Sequence, residues 1–215
     1  IVKFSELPDS PVSQRWRDLL LAEHLALQVL REHGVAAAAS TIVDTAGQRF
    51  LEVERFDRVG ALGRCALFSL AALDAEFIGQ GGRWPEVTQA LAKARRVDAA
   101  AAEGAALLWA FGHLIGNTDM HAGNLSFLSA TGAQPYQLAP AYDMLPMAFA
   151  PRSGGGLPGL QMGQADSPSD LAAPNIGPQV PANAWQQALP MAERYVAQLQ
   201  ATLAAGGFSA GFAGC

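Results

Sequence analysis

Residues 116–127 read Gly-Asn-Thr-Asp-Met-His-Ala-Gly-Asn-Leu-Ser-Phe and place Asp119, His121 and Asn124 at fixed offsets in one short run. Asn-Thr-Asp is a poor helix interior, because short polar side chains compete for the backbone and favour turns. The run is therefore predicted to be a loop between an Ala/Leu-rich helix and a short apolar strand. A second carboxylate, Asp143, stands in Ala141-Tyr142-Asp143-Met144-Leu145 after another strand-like run. Residues 125–128 and 136–139 flank Ala130-Thr131-Gly132-Ala133 and read as a hairpin. Asn124 and Asp143 then lie at the two ends of one hairpin, which pairs them as ligands. A carboxylate near an acceptor hydroxyl (Asp119), an amide oxygen (Asn124) and a second carboxylate for a metal (Asp143) are what phosphoryl transfer from Mg-ATP requires. His121 is read as a residue that orients the loop by hydrogen bonds. The competing reading of the same residues is a polar turn that only caps its neighbours.

Other elements must bring a phosphate-gripping cation to this loop. Ile1-Val2-Lys3-Phe4 is β-branched and aromatic and reads as a buried strand. Lys3 is either the phosphate-contacting lysine of a kinase-type strand or a strand-end lysine in solvent. From Val12, the residues Trp16, Leu19, Leu20, Ala22, Leu25, Ala26, Val29 and Leu30 recur at helical spacing up to a capping Gly34. Glu23 on this helix is either the partner of Lys3 or an exposed glutamate, and His24 is read as a surface or packing residue. Residues 41–43 and 50–56 read as strands around a turn containing Gly47. Arg55, Asp57 and Arg58 are expected to form an ion-pair cluster tying the sheet to the next helix. Helices are expected over 65–77, 85–96 and 98–115, the last with Asp98 as N-cap and apolar around most of its circumference. His113 on it is expected to be a packed helix residue. Gly79-Gln80-Gly81-Gly82 lacks the pattern of a phosphate loop and is read as a connection. Residues 149–181, crowded with Pro and Gly, read as a long loop or lid. A final helix is expected from 183 or 184 to 203, packing through Trp185, Leu189, Ala192, Tyr195, Val196 and Leu199. Gly206-Gly207 and a Gly/Ala tail end it.

With 215 residues, half of them hydrophobic, the chain can bury a substantial core. A formal charge of −5 argues against a generally nucleic-acid-coating surface. Cys65 and Cys215 are isolated, fit neither a disulfide framework nor a zinc site, and suit a reducing cytoplasm. No stretch reads as a membrane span. The chain opens on Ile1 in a strand-like run rather than on Met, and is read as a fragment with a nucleotide-binding glycine loop expected upstream.

Asp119 and Asn124 are five apart, the offset of the protein-kinase catalytic loop H-R-D-x-x-x-x-N. Together, the N-T-D-x-H-x-x-N run, Tyr142-Asp143 after a hairpin, Ile1-Val2-Lys3-Phe4 and Glu54-Arg55-Phe56-Asp57-Arg58 resemble the HipA family of bacterial toxin kinases. The resemblance covers residues 1 to about 150 in the family's order. It implies an α+β, bilobal protein-kinase-like fold. Residues 1–60 would be part of a small β-containing N-lobe, and residues 61–215 a mostly helical C-lobe with the catalytic loop and metal-binding hairpin. It implies a serine/threonine protein kinase using ATP and Mg2+, with Asp119 and His121 catalytic, Lys3 and Glu23 gripping nucleotide, and Asn124 and Asp143 holding the metal. Two departures stand out: Ala22 precedes Glu23 where the family has Asn-Glu, and Asp143-Met144-Leu145 replaces the D-F-G of ordinary kinases. The implied partners are a protein substrate, such as an aminoacyl-tRNA synthetase or another translation protein, and a helix-turn-helix antitoxin (HipB-like) that binds DNA. Neither membrane binding nor direct nucleic-acid binding is implied. Asp-x-His-x-x-Asn also occurs in small-molecule phosphotransferases of the aminoglycoside and choline kinase type, the main alternative. A pseudokinase binding module ranks below that. A metal-dependent hydrolase using Asp119 and His121 is weaker still, because no further His/Asp cluster completes a zinc set.

Overall fold

A computed structural model describes residues 1–7, 9–152, 157 and 180–213. The chain is built from a three-stranded antiparallel sheet, a helical body and a second three-stranded sheet whose strands lie on either side of the helices at 70–114 in sequence. Strand β1 (Val2–Phe4) and β2 (Ser40–Thr45) both pair with β3 (Gln48–Val53), giving the order β1-β3-β2. Lys3 lies in register with Leu51, which also opposes Ile42. Leu51 is fully buried, so Lys3 shares the inward face while its neighbours Val2 and Phe4 are exposed. The β2–β3 turn is tighter than the sequence suggested. Asp44 and Thr45 belong to β2, and only Ala46 and Gly47 turn, both with positive φ (49° and 79°), as a two-residue hairpin turn requires.

Helix α1 (Pro11–Glu32) begins with Ser10 as N-cap and Pro11 at its first position, and ends before Gly34 at φ 76°. Its buried stripe, Ala22, Leu25, Ala26, Val29 and Leu30, packs into the main core. That core also takes Trp84, Val87 and Leu91 from α3 (Trp84–Lys93), Ala105, Leu108 and Phe111 from α4 (Ala99–Leu114), and Ala188, Met191 and Tyr195 from α5 (Ala182–Ala204). Asp98 caps α4 by accepting from the Ala101 N–H at 2.7 Å. A smaller cluster of Leu20, Ala38, Leu51 and Val53, joined by Ile42, Phe56 and Tyr142, lies under the first sheet.

Three expectations need correction. Residues 65–77 are not one helix. Ala66–Ser69 is a strand, β6, whose Ser69 then caps the shorter α2 (Leu70–Phe77). The apolar run carries both periods, and pairing with β7 (Ser126–Ser129), Phe68 opposite Phe127, decides in favour of the strand. With β8 (Gln137–Leu138) these form the second sheet, order β6-β7-β8. Second, Arg55, Asp57 and Arg58 do cluster, but lead into a two-stranded ribbon, β4 (Arg58–Val59) with β5 (Gly63–Arg64), rather than a helix. Third, Leu189 is half exposed and not on the α5 packing face. Helix α5 ends before Gly206-Gly207 as expected; beyond them Phe208 is buried and α6 (Ala210–Ala213) follows. Gly79-Gln80-Gly81 is a connection tied back to helix α2, the Gln80 and Gly81 N–H groups donating to the Asp74 carboxylate. Most of the expected 149–181 loop, and Cys215, lie outside the described residues. Among the described residues, no helix is long and apolar enough to cross a membrane.

Candidate active site

Helix α4 ends at Leu114 with Ile115 as its C-cap, and Gly116, with φ 78°, turns the chain out of it. Asn117 follows, nearly fully buried, and its Oδ1 accepts the Asp119 backbone N–H at 3.0 Å. This Asx turn fixes the backbone that presents Asp119. The Asn124 Nδ2–H closes the loop onto the Asp119 carbonyl at 2.9 Å. The His121 carbonyl accepts two N–H groups, Asn124 at 3.0 Å and the Trp84 indole Nε1 at 2.9 Å. Trp84 is buried at the start of α3, so the helical core holds the loop from below. The Gly123 N–H donates to His121 Nδ1 at 3.0 Å, which makes this nitrogen the unprotonated one in the neutral ring. His121 Nε2 faces Asp119 Oδ1 at 3.9 Å, and both side chains remain more than half exposed. The Asp119 carboxylate thus takes no part in holding the loop that its own backbone anchors.

The cationic half of the site is assembled from three distant stretches. Lys3 Nζ donates to Glu23 Oε1 and Oε2 at 2.8 and 2.9 Å and to Asp143 Oδ1 at 2.5 Å. Glu23 on α1 is 1% exposed, against 35% for the Lys3 side chain and 29% for Asp143, so the lysine bridges a buried acid and an accessible one. Burial alone would push the Lys3 ammonium down; the two carboxylates outweigh it and hold its pKa above the ordinary lysine value. Burial pushes the Glu23 carboxyl up, with Lys3 acting against it. Asp143 sits at φ 55°, a left-handed conformation that Asp tolerates better than most residues. The two halves meet through Tyr142, which packs on Phe56 at 5.9 Å between ring centroids. Its hydroxyl donates to the Gly123 carbonyl at 2.9 Å and shares a 2.7 Å hydrogen bond with Ser126.

Sequence reasoning passed over Asn117, Tyr142 and Trp84 as site residues. The Asx-turn preference of Asn117 was a usable signal; nothing in the sequence pairs an indole N–H with a carbonyl 37 positions away.

For a metal, the residues available are oxygen donors. Asn124 uses its amide N–H on Asp119, which leaves the Oδ1 as its donor atom, and Asp143 offers a carboxylate. Among the described residues no group of three or more His, Cys, Asp and Glu is gathered as a metal cluster. One amide oxygen and one carboxylate fit Mg2+, which takes few protein ligands when phosphates and water complete its octahedron. They do not fit the closed nitrogen and sulfur set of a structural zinc site.

Close packing beneath the loop yields a direct test. A Cβ on Gly112 would collide with Met120 Sδ and fall 3.3 Å from Met144 Sδ, inside both segments that carry the site aspartates. Gly112→Ala is expected to cost about 1–3 kcal/mol by overpacking. Thermal unfolding should register this as a drop of roughly 2–12 °C, despite alanine being the better helix former.

Comparison with known proteins places this geometry in context. The family model of the HipA-like C-terminal domain matches residues 1–204. The chain is 41% identical over 196 residues to Toxin YjjJ of Escherichia coli K12, covering 91% of this chain and 42% of that protein. The chain therefore spans less than half the length of this relative. Among solved structures, it resembles HipA from the Shewanella oneidensis MR-1 complex of HipA, HipB and operator DNA. The TM-score is 0.55 and the identity 17%, over 96% of this chain and 58% of that one. It also resembles the Helicobacter pylori proinflammatory kinase CtkA, with a TM-score of 0.50 and 20% identity over 66% of this chain and 48% of that one. At these identities the structural matches establish the fold, which is α+β and kinase-like.

Proposed function

Because this chain belongs to the HipA-like C-terminal domain family, we propose that it carries the catalytic centre of an ATP- and Mg2+-dependent kinase that phosphorylates a serine or threonine hydroxyl of a protein. The observation that carries this reading is the Lys3–Glu23–Asp143 ion-pair chain, joined through Tyr142 to the Asp119–Asn124 loop. In this reading residues 1–60 belong to the N-lobe and residues 61–215 to the C-lobe, and the protein acts in the cytoplasm.

Lys3, steadied by Glu23, would hold the nucleotide phosphates. Asn124 and Asp143 would hold Mg2+, which when bound neutralises charge on the phosphate oxygens. The acceptor oxygen attacks the γ-phosphorus, the bond to the β-phosphate bridging oxygen breaks, and the hydroxyl proton passes to Asp119, within reach because its carboxylate is exposed. His121, its Nδ1 held by Gly123, would orient Asp119 or the acceptor through Nε2. In the Shewanella structure HipA is assembled with HipB and operator DNA; a DNA-binding antitoxin of that kind is the corresponding partner proposed here.

Phosphate transfer from γ-labelled ATP into a cell extract, next to parallel reactions with an aminoglycoside and with choline, tests the acceptor class. Label on protein, resistant to the acid treatment that removes histidine phosphates, supports the reading. Label only on a small molecule would move the protein to the alternative that the Asp119-x-His121-x-x-Asn124 run also suits. Binding of ATP with no transfer to any acceptor would make it a pseudokinase.

A further inference from the structure

The mechanism uses Glu23 of helix α1 but not the buried arginine two turns before it. Arg15 is 2% exposed. Its Nη1–H donates to the Phe149 carbonyl at 3.0 Å and its Nη2–H to the Gly211 carbonyl at 2.9 Å, with the guanidinium 5.5 Å from the centre of the Phe212 ring. Phe149 ends the segment that begins at Asp143. Within it Met144 and Leu145 are buried, and the Ala148 N–H donates to the Gly116 carbonyl at 2.9 Å, where the catalytic loop starts. Helix α1 therefore reaches this segment twice: at its start through Glu23, Lys3 and Asp143, and at its end through Arg15 and Phe149.

The tail holds α1 in that position. Asp18, also 2% exposed, accepts the Ser209 N–H at 3.0 Å and the Ser209 hydroxyl at 2.5 Å. Arg49 of β3 donates to the Gly207 carbonyl at 3.3 Å, and Phe208 and Phe212 stack at 4.5 Å between ring centres. Phe212 also meets Phe149 at 6.1 Å. A buried guanidinium that forks onto two backbone carbonyls fixes both rigidly, since its planar donors are pre-organised and both carbonyls would otherwise be left without that donor.

We infer that Arg15 is a positioning residue: with the tail residues 207–213 clamped around it, it sets the far end of the 143–149 segment and thereby the placement of Asp143 for its metal. The catalytic consequence rests on the proposed kinase function; the tether itself does not. Arg15→Met keeps much of the side chain's bulk and removes the fork. In the purified protein, trypsin is expected to cut after Arg152, three residues beyond the tether, about tenfold faster in Arg15→Met. The Mg2+ concentration that half-saturates binding of a fluorescent ATP analogue should rise by a similar factor, while the metal-independent part of nucleotide binding changes little. Arg15→Lys, which keeps the charge but not the fork, should fall between. Phe212→Ala, which keeps the Arg15 fork and removes only the ring that packs on Arg15, Phe149 and Phe208, should move both readouts in the same direction, and it decides the matter if Arg15→Met shows no cooperative melt. Cleavage at the wild-type rate in Arg15→Met and Phe212→Ala would overturn the tether. Faster cleavage with an unchanged Mg2+ requirement would make Arg15 structural only. If the wild-type protein binds no Mg-nucleotide, the kinase proposal fails, and the cleavage rates still decide the tether.

Discussion

Asp119→Asn is expected to reduce phosphate transfer by about 10^2–10^4-fold while leaving nucleotide affinity within about twofold of wild type. The reason lies in how the loop is held. Its fixed points are the Asp119 N–H on Asn117, the Asp119 carbonyl on Asn124 and the His121 carbonyl on Trp84. None of them is the Asp119 carboxylate, which faces His121 Nε2 at 3.9 Å. Asparagine should preserve the loop and lose only the proton acceptor. Turnover measured at saturating ATP, with affinity measured separately by titration, distinguishes this from a binding defect. A change in affinity as large as the change in turnover would place Asp119 in nucleotide binding instead.

Lys3→Met should be the most destabilising single change at the site, by about 2–3 kcal/mol at neutral pH. It strands Glu23, which is 1% exposed, with no counter-charge in contact. This is less than the roughly 3–5 kcal/mol of a fully buried pair that is broken, because Lys3 itself is 35% exposed and water screens its side of the pair. The loss should depend on pH in a defined direction. Without Lys3, burial raises the Glu23 carboxyl further above its unfolded value, so the folded variant binds that proton more tightly than the unfolded chain does. Its relative stability is retained below the unfolded glutamate value, about 4.3, and is lost as pH rises through the raised folded value. Urea unfolding at pH 5 and pH 8 should show the larger deficit at pH 8. Adding Glu23→Gln to Lys3→Met should recover part of it, because the double variant no longer buries an unpaired charge. A deficit equal at both pH values would mean that Glu23 is not the group left uncompensated.

Much of this arrangement is written in local patterns. Ser10 and Pro11 before a 3.6-residue stripe, Asp98 before the alanine-rich run, and the apolar pairs flanking residues 130–133 all specify their elements through short-range chemistry. The inward face of Lys3 follows from alternation once Val2–Phe4 is a strand. What the sequence concealed depends on distant partners. Ala66-Leu67-Phe68 reads as helix until Phe127 is available to pair with Phe68. The composition beyond Gly206 is equally misleading: the Gly/Ala tail looks like a frayed end, and its order comes from Arg15 and Asp18, almost two hundred positions earlier. Leu189 illustrates the limit of periodicity, since a wide apolar stripe on α5 does not say which of its margins faces solvent. The pairing of Asn124 with Asp143 as proposed ligands rests on the hairpin between them, whereas the Lys3 bridge to Asp143 crosses 140 positions and appears only when the sheet is docked on α1.

The most direct test of the whole account is transfer of label from γ-labelled ATP by the purified protein with Mg2+, with a chelator in place of Mg2+, and with Asp143→Ala in the presence of Mg2+. The account predicts labelled product in the first reaction alone, because Asp143 is both the carboxylate assigned to the metal and the accessible partner of Lys3. Transfer that persists undiminished in Asp143→Ala would contradict it, since the metal and the phosphates would then be held by residues other than those assembled here.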